Sequence, residues 1–216
     1  MTSQTPDREY RALILDFGGV LTDNASLAIR EWCVSEGLDE EAWRRTLGQN
    51  PDVGAWYRQL ERGTMSQAEW NRRTAPILGV ADHENLMGRA WAGVKPSTGM
   101  VALAKAARAA GYRLAMLSNS FGLDPYDPYA ACGVWELFDV TVVSELEGMA
   151  KPDPEIYQLA LDRIGLPGEA CVFVDDYPGN LPPAEAMGIT TVLAAKPHHE
   201  TVGRLSALLG LDAAPA

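Results

Sequence analysis

Short, unbroken apolar runs alternate along this chain with stretches whose apolar residues recur at helical spacing. Arg11-Ala12-Leu13-Ile14-Leu15, Arg113-Leu114-Ala115-Met116-Leu117, Phe138 to Val143, Ala170-Cys171-Val172-Phe173-Val174 and Ile189 to Leu193 are the runs of strand length. Continuous apolar runs, as opposed to alternating ones, mark strands buried on both faces. Between them the pattern predicts helices from Met100 to about Ala110, stopped by Gly111, and from Glu155 to about Ile164, stopped by Gly165. A short helix through Met187 and Gly188 and a last amphipathic helix, Thr201 to Leu209, follow. Gly122 to Tyr129 reads as loop or irregular helix start, Ser144-Glu145 leads into a loop with Gly148, and Asp212 to Ala216 reads as a frayed end. Strands alternating with helices predict an α/β fold, a mostly parallel sheet with right-handed crossovers.

Residues 25–94 interrupt this alternation directly after the first strand. Ala28, Ile29, Trp32 and Cys33 recur at helical spacing, as do Trp56 and Leu60, and breaks fall at Gly37, Asn50-Pro51, Arg62-Gly63 and Gly79. The segment is therefore expected to be a compact all-helical insert, dividing the chain into a sheet domain of residues 1–24 and 95–216 and a helical unit of residues 25–94. Five of the six tryptophans lie in it, Trp32, Trp43, Trp56, Trp70 and Trp91. They read as the core of a small helical unit, with ligand stacking as the alternative.

Composition narrows the function classes. Charged residues are 22% of the chain, as in ordinary globular proteins, but the formal net charge is −11. That balance argues against a nucleic-acid partner, which needs a basic face. A small anionic substrate stays compatible with it, because a metal ion and one or two cations reverse the sign locally. Cys33, Cys132 and Cys171 are scattered and odd in number, which suggests reduced thiols and a cytoplasmic location. The first ten residues are polar and show no secretory signal, and no apolar run is long enough to span a membrane.

Three apolar strands end in polar residues: Asp16, Ser118-Asn119 and Asp175-Asp176, with Lys151 in a loop after the third strand. In an open parallel sheet these ends share one edge, where ligands bind. Taken singly, Asp16 could cap a turn, Ser118-Asn119 could be a turn, Lys151 a solvated loop charge and Asp175-Asp176 a helix-start acidic pair. Together, converging carboxylates call for a cation, and oxygen ligands of this kind suit Mg²⁺. Asp16 and Asp176 could hold it with a main-chain carbonyl of the Gly18-Gly19 loop, while Lys151 and the Ser118 hydroxyl hold phosphate oxygens. Phe17 reads as core, and Asp23 and Asn24 as hinge or pocket residues. His83, His198 and His199 show no ligand spacing and read as a surface residue and a loop pair beside the last helix.

Asp16-Phe17-Gly18-Gly19-Val20-Leu21-Thr22, Leu117-Ser118-Asn119, Lys151-Pro152-Asp153-Pro154-Glu155-Ile156-Tyr157 and Val172-Phe173-Val174-Asp175-Asp176 with Asn180 occur in this order. The set resembles the haloacid dehalogenase (HAD) superfamily over about residues 11–195. It is more closely similar to the subgroup containing the phosphatase domain of epoxide hydrolase and bacterial sugar-phosphate phosphatases. The resemblance implies a Rossmann-like (HAD-like) core of residues 1–24 and 95–216, with residues 25–94 as an inserted all-helical cap closing over the site. It implies that Asp16 attacks phosphorus to give an aspartyl-phosphate, and that Asp16, the Gly18 carbonyl and Asp176 hold Mg²⁺. Asp175 would tune that cluster, Asn180 would support its loop, and Ser118, Asn119 and Lys151 would bind the phosphoryl group of a small phosphorylated metabolite.

One position departs from the family pattern. Most family phosphatases and mutases carry a second Asp two residues after the nucleophile, as proton donor to the leaving group, and this chain has Gly18 there. General acid–base help is worth about 10²–10⁴ in rate, so a hydrolase is favoured over a mutase, and what replaces the missing acid is open. Two other readings compete: a metal-independent haloacid dehalogenase, whose fourth motif would not be a paired acid, and a catalytically impaired HAD-like scaffold that only binds.

Overall fold

The computed structural model describes residues 9–211; the expected frayed end at 212–216 lies outside them, as do residues 1–8. The first strand, β1 (Ala12–Leu15), is followed by five helices, α1 (Ala25–Ser35), α2 (Ala42–Gln49), α3 (Pro51–Glu61), α4 (Gln67–Leu78) and α5 (Leu86–Trp91). The chain then runs through α6 (Thr98–Ala109), β2 (Arg113–Ser118), α7 (Pro128–Ala131), β3 (Val140–Val143), α8 (Ser144–Glu147) and α9 (Pro154–Ile164). It ends with β4 (Cys171–Asp175), α10 (Leu181–Ala186), β5 (Thr190–Leu193) and α11 (His199–Leu209). The strands form a five-stranded sheet in the order β3-β2-β1-β4-β5, and every pairing is parallel.

Alternation along the buried strands divides the core in two. Leu13, Leu15, Leu114, Met116, Val172 and Val174 face α6 and α11, whereas Ala12, Ile14, Ala115, Leu117, Cys171 and Phe173 face α9 and α10. Two differences from the sequence reading are local. β3 starts at Val140, because the Asp139 carboxylate is used to accept the Leu114 amide (2.9 Å) and an Arg108 hydrogen bond (3.1 Å). Ser144 to Glu147 forms a helical turn closed by Gly148 in the left-handed region (φ 70°) and not an open loop.

The helices between β1 and α6 start and stop on local signals. Asn50 caps α3 by accepting from Asp52 N and Val53 N, with Pro51 at the first helical position. Ser66 and Glu69 start α4 with a Ser-x-x-Glu sequence, and Gly79 stops it at φ 87°. These helices share their own apolar cluster, with Trp32 edge to face on Trp43 (5.6 Å), Trp43 tilted against Trp70 (5.7 Å) and Phe121 joining from the loop after β2. The tryptophans buried there are thus packing residues. The two chain crossings into and out of this segment run side by side. Thr22 bridges Pro96, Ser97 N donates to Leu21 O (2.7 Å), and the Asn24 side chain clasps Gly93 O (2.9 Å) and Lys95 N (2.8 Å).

Candidate active site

In the order β3-β2-β1-β4-β5, successive connections leave β1 in opposite directions, so a crevice opens between the carboxyl ends of β1 and β4. Asp16 follows β1 directly, its amide still donating to Val174 O of β4 (2.9 Å), and Asp175 and Asp176 follow from the end of β4. Lys151, buried despite its charge, reaches the same point from the loop before α9. Its ammonium donates to Asp16 Oδ1 (2.8 Å), Asp175 Oδ2 (2.6 Å) and Leu117 O (2.9 Å), which satisfies all three of its N–H bonds.

Each member is held by neighbours. The Asn119 side chain forms a two-way clasp on the Lys151 backbone, accepting from Lys151 N (2.8 Å) and donating to Lys151 O (3.0 Å). Asp175 is fully buried and accepts from Tyr177 N (2.8 Å) and Asn180 Nδ2 (3.1 and 3.0 Å); Asn180 O in turn accepts from Tyr157 (2.7 Å). Ser118 receives a hydrogen bond from Tyr129 Oη (3.0 Å). The sequence-derived residues therefore gather here, with Asn119 hydrogen-bonded to the Lys151 backbone and Asn180 to Asp175.

The electrostatics are unbalanced. Burial pushes the Asp16 carboxyl up to about 7, with Lys151 opposing and Asp175 adding to the rise. Burial and the Asp175 carboxylate raise Asp176 as well. For Lys151 burial acts to lower the pKa, but the two carboxylates outweigh it and the ammonium is held on more firmly. Three carboxylates against one ammonium is an arrangement that a divalent cation would relieve.

The donor set fits such an ion. One ligand atom each of Asp16, Asp175 and Asp176 lies within 4.8 Å of the others. Asp175 already spends its oxygens on Lys151, Tyr177 and Asn180, which leaves Asp16 and Asp176 as carboxylates with free lone pairs. Hard oxygen donors few in number, with open positions for water and substrate oxygens, match Mg²⁺. The approach of Asp176 depends on Gly19: at φ +74° a Cβ there would sit 2.0 Å from Asp176 Oδ2. At Gly18, by contrast, a Cβ would meet nothing within 4 Å, so the space where the family's second Asp would stand is open.

Three residues escaped the sequence reading. Tyr129, in a stretch read as irregular, is buried, packs on Phe17 (4.6 Å) and fixes the Ser118 hydroxyl. His198 is not a loose loop residue but is buried beside the Gly18-Gly19 loop: Nε2 donates to Gly19 O (2.8 Å), and Nδ1 lies 2.8 Å from Ser97 Oγ and 2.6 Å from Asp23 Oδ1. It joins the loop after Asp16 to both chain crossings, which only the fold brings together. Glu61, at the end of α3, faces Asn119 and Lys151 from the other side of the crevice.

Residues 10–188 match the family of haloacid dehalogenase-like hydrolases. Among curated proteins, mouse (Mus musculus) Acyl-CoA dehydrogenase family member 10 is 31% identical over 210 residues, covering 94% of this chain but only 19% of that protein. The sesquiterpene phosphatase astK of Aspergillus oryzae is 27% identical over 182 residues, covering 83% of this chain and 87% of the relative. A solved dehalogenase structure superposes with a TM-score of 0.71 at 23% identity, covering 94% of this chain and 98% of the other, a likeness of fold.

Proposed function

The chain belongs to the haloacid dehalogenase-like hydrolase family, and from that premise we propose that it is a Mg²⁺-dependent phosphatase that hydrolyses a small phosphorylated metabolite through an aspartyl-phosphate on Asp16. The observation that carries this reading is the excess of carboxylate at the crevice: Asp16, Asp175 and Asp176 gather around one ammonium, Lys151. A dehalogenase that attacks carbon has no use for a second and third carboxylate, whereas a phosphate ester arriving at a net-negative site requires a cation beside it. The buried Asp16–Lys151–Asp175 network also weighs against an impaired scaffold, since keeping such charges buried is costly.

In this reading Asp16 Oδ attacks phosphorus in line with the leaving oxygen, and water later attacks the same phosphorus to free Asp16. Mg²⁺, held by Asp16, Asp176 and the Gly18 carbonyl, would supply positive charge to the transferring phosphoryl oxygens. Lys151 offers its ammonium on the opposite side: Leu117 O and Asp175 keep it in place, and the N–H that pairs with Asp16 Oδ1 turns to a phosphoryl oxygen as Asp16 bonds to phosphorus. Ser118, oriented by Tyr129, gives a hydroxyl to a phosphoryl oxygen, and Asn119 holds Lys151 in place. The helices of residues 25–94 act as the cap that excludes water and selects the substrate. Free Cys33, Cys132 and Cys171 support a reducing, cytoplasmic setting, and among the described residues no helix is long and apolar enough to cross a membrane.

Phosphate release from p-nitrophenyl phosphate tests the reading. We expect release with Mg²⁺ and loss of at least about 10²-fold with EDTA, restored by excess Mg²⁺. Chloride release from 2-chloropropionate without phosphate release would point to the dehalogenase instead.

A further inference from the structure

In-line displacement puts the leaving group on the side of phosphorus opposite Asp16, away from the sheet edge and toward the inserted helices. The proton for a poor leaving group must come from that side. Gly18 cannot provide it, and its vacant side-chain space is open. The end of α3 projects onto this region and is fastened there by two contacts with the core. Arg62 pairs with Asp153, two residues after Lys151, at 2.7 Å. Gly63 packs so tightly on the backbone of Glu145 that a Cβ would come within 2.3 Å of Glu145 O. Directly before these anchors, half-buried Glu61 lies close enough to Lys151 and Asn119 to be influenced by both.

One turn earlier on the same face of α3, Tyr57 packs edge-on against Trp70 (6.0 Å) and lies close enough to both Glu61 and Tyr129 to feel their charge. The half-buried Tyr57–Glu61 face of α3 thus lies on the side of the phosphoryl-binding residues. Burial raises the Glu61 pKa, with Lys151 the largest opposing influence, so this carboxyl keeps its proton to higher pH than an ordinary glutamate.

We propose that Glu61 is the general acid and base of the reaction, supplied by the inserted helices in place of the residue that Gly18 lacks. This rests on the phosphatase reading above. In the first step Asp16 Oδ bonds to phosphorus, and the bond from phosphorus to the leaving oxygen breaks with its electron pair on that oxygen. The Glu61 carboxyl gives that oxygen its proton, and the alcohol departs. In the second step the Glu61 carboxylate takes a proton from a water entering where the alcohol left. That water bonds to phosphorus, the bond from phosphorus to Asp16 breaks, and inorganic phosphate leaves with Glu61 protonated again.

Because the two steps use Glu61 differently, rapid-mixing kinetics of Glu61→Gln separate this role from a structural one. Steady-state turnover is expected to fall about 10²-fold or more on both p-nitrophenyl phosphate and phenyl phosphate. With p-nitrophenyl phosphate, whose leaving group departs unprotonated, the variant still forms the aspartyl-phosphate quickly. It then shows a burst of p-nitrophenolate equal to the enzyme present, followed by slow release of phosphate. With phenyl phosphate no burst of phenol appears, because the first step is now slow. Turnover within about threefold of wild type, or equal slowing on both esters with no burst on either, would overturn the assignment while leaving the phosphatase reading intact. Absence of Mg²⁺-dependent phosphate release by the wild-type chain itself would instead remove the reading on which the proposal stands.

Discussion

Asp16→Asn is expected to reduce phosphate release by roughly 10⁴-fold or more, the scale on which deleting a nucleophile acts in a preorganised site. The amide keeps the size and planarity of the carboxyl but offers no anionic oxygen to phosphorus. The fold should not suffer. Asp16 carries a folded-state pKa raised to about 7, well above its ordinary value of 3.8. The stabilising contribution of a group raised in this way is complete below the ordinary value and is lost as pH rises through the folded one. Above neutrality, in metal-free protein, ionised Asp16 is thus a burden on the native state, and Asn removes it. Thermal melts in EDTA should place Asp16→Asn at or above wild type on the alkaline side, with the gap closing toward acid pH. Full turnover by the variant would refute the nucleophile assignment, and a melt well below wild type at alkaline pH would refute the electrostatic account.

Lys151→Met should lose both activity and stability. Methionine fills the same channel beside Leu117 and Phe173, so packing is largely kept, but Asp16 and Asp175 are left buried without their cation. Removing one partner from a buried, hydrogen-bonded ion pair costs about 3–5 kcal/mol. For a chain of this size that lowers Tm by roughly 10 °C or more. The penalty should grow from mildly acid to mildly alkaline buffer, because without the ammonium that opposes its rise the Asp16 carboxyl resists ionising further in the fold while remaining free to ionise in the unfolded chain. Loss of a charged hydrogen bond to the phosphoryl group should lower kcat by about 10²–10³-fold. A variant that melts like wild type at all pH values would contradict the charge balance drawn around Lys151.

The parts of this architecture that the sequence makes legible are those fixed by local rules. The strands ending at Asp16, Ser118 and Asp175 are continuous apolar runs because both faces of the sheet are covered. Helix starts and stops at Asn50, Ser66, Gly79 and Gly165 carry their own capping chemistry. The convergence of Asp16, Lys151 and Asp175 follows from strand direction alone. Residues whose surroundings are assembled from distant segments give no such signal. His198 meets Gly19 across 179 positions, Ser97 across 101, and a His-His pair before a helix says nothing of either. Tyr129 sits among prolines and glycines that obscure the apolar pattern, yet its hydroxyl fixes Ser118. Glu61 lies at an ordinary helix end, and what distinguishes it is the docking of Arg62 on Asp153 and of Gly63 on Glu145 of α8, both more than eighty residues away.

A crystal structure grown with Mg²⁺ and beryllium fluoride tests most directly whether the first and fourth strand ends clamp a divalent ion against a phosphoryl group on Asp16. The expected result is a beryllofluoride on Asp16 Oδ, an ion shared by the carboxylates of Asp16 and Asp176, and Lys151 Nζ on a fluorine. An ion bound elsewhere, or Asp16 still paired with Lys151 alone and carrying no beryllofluoride, would contradict it.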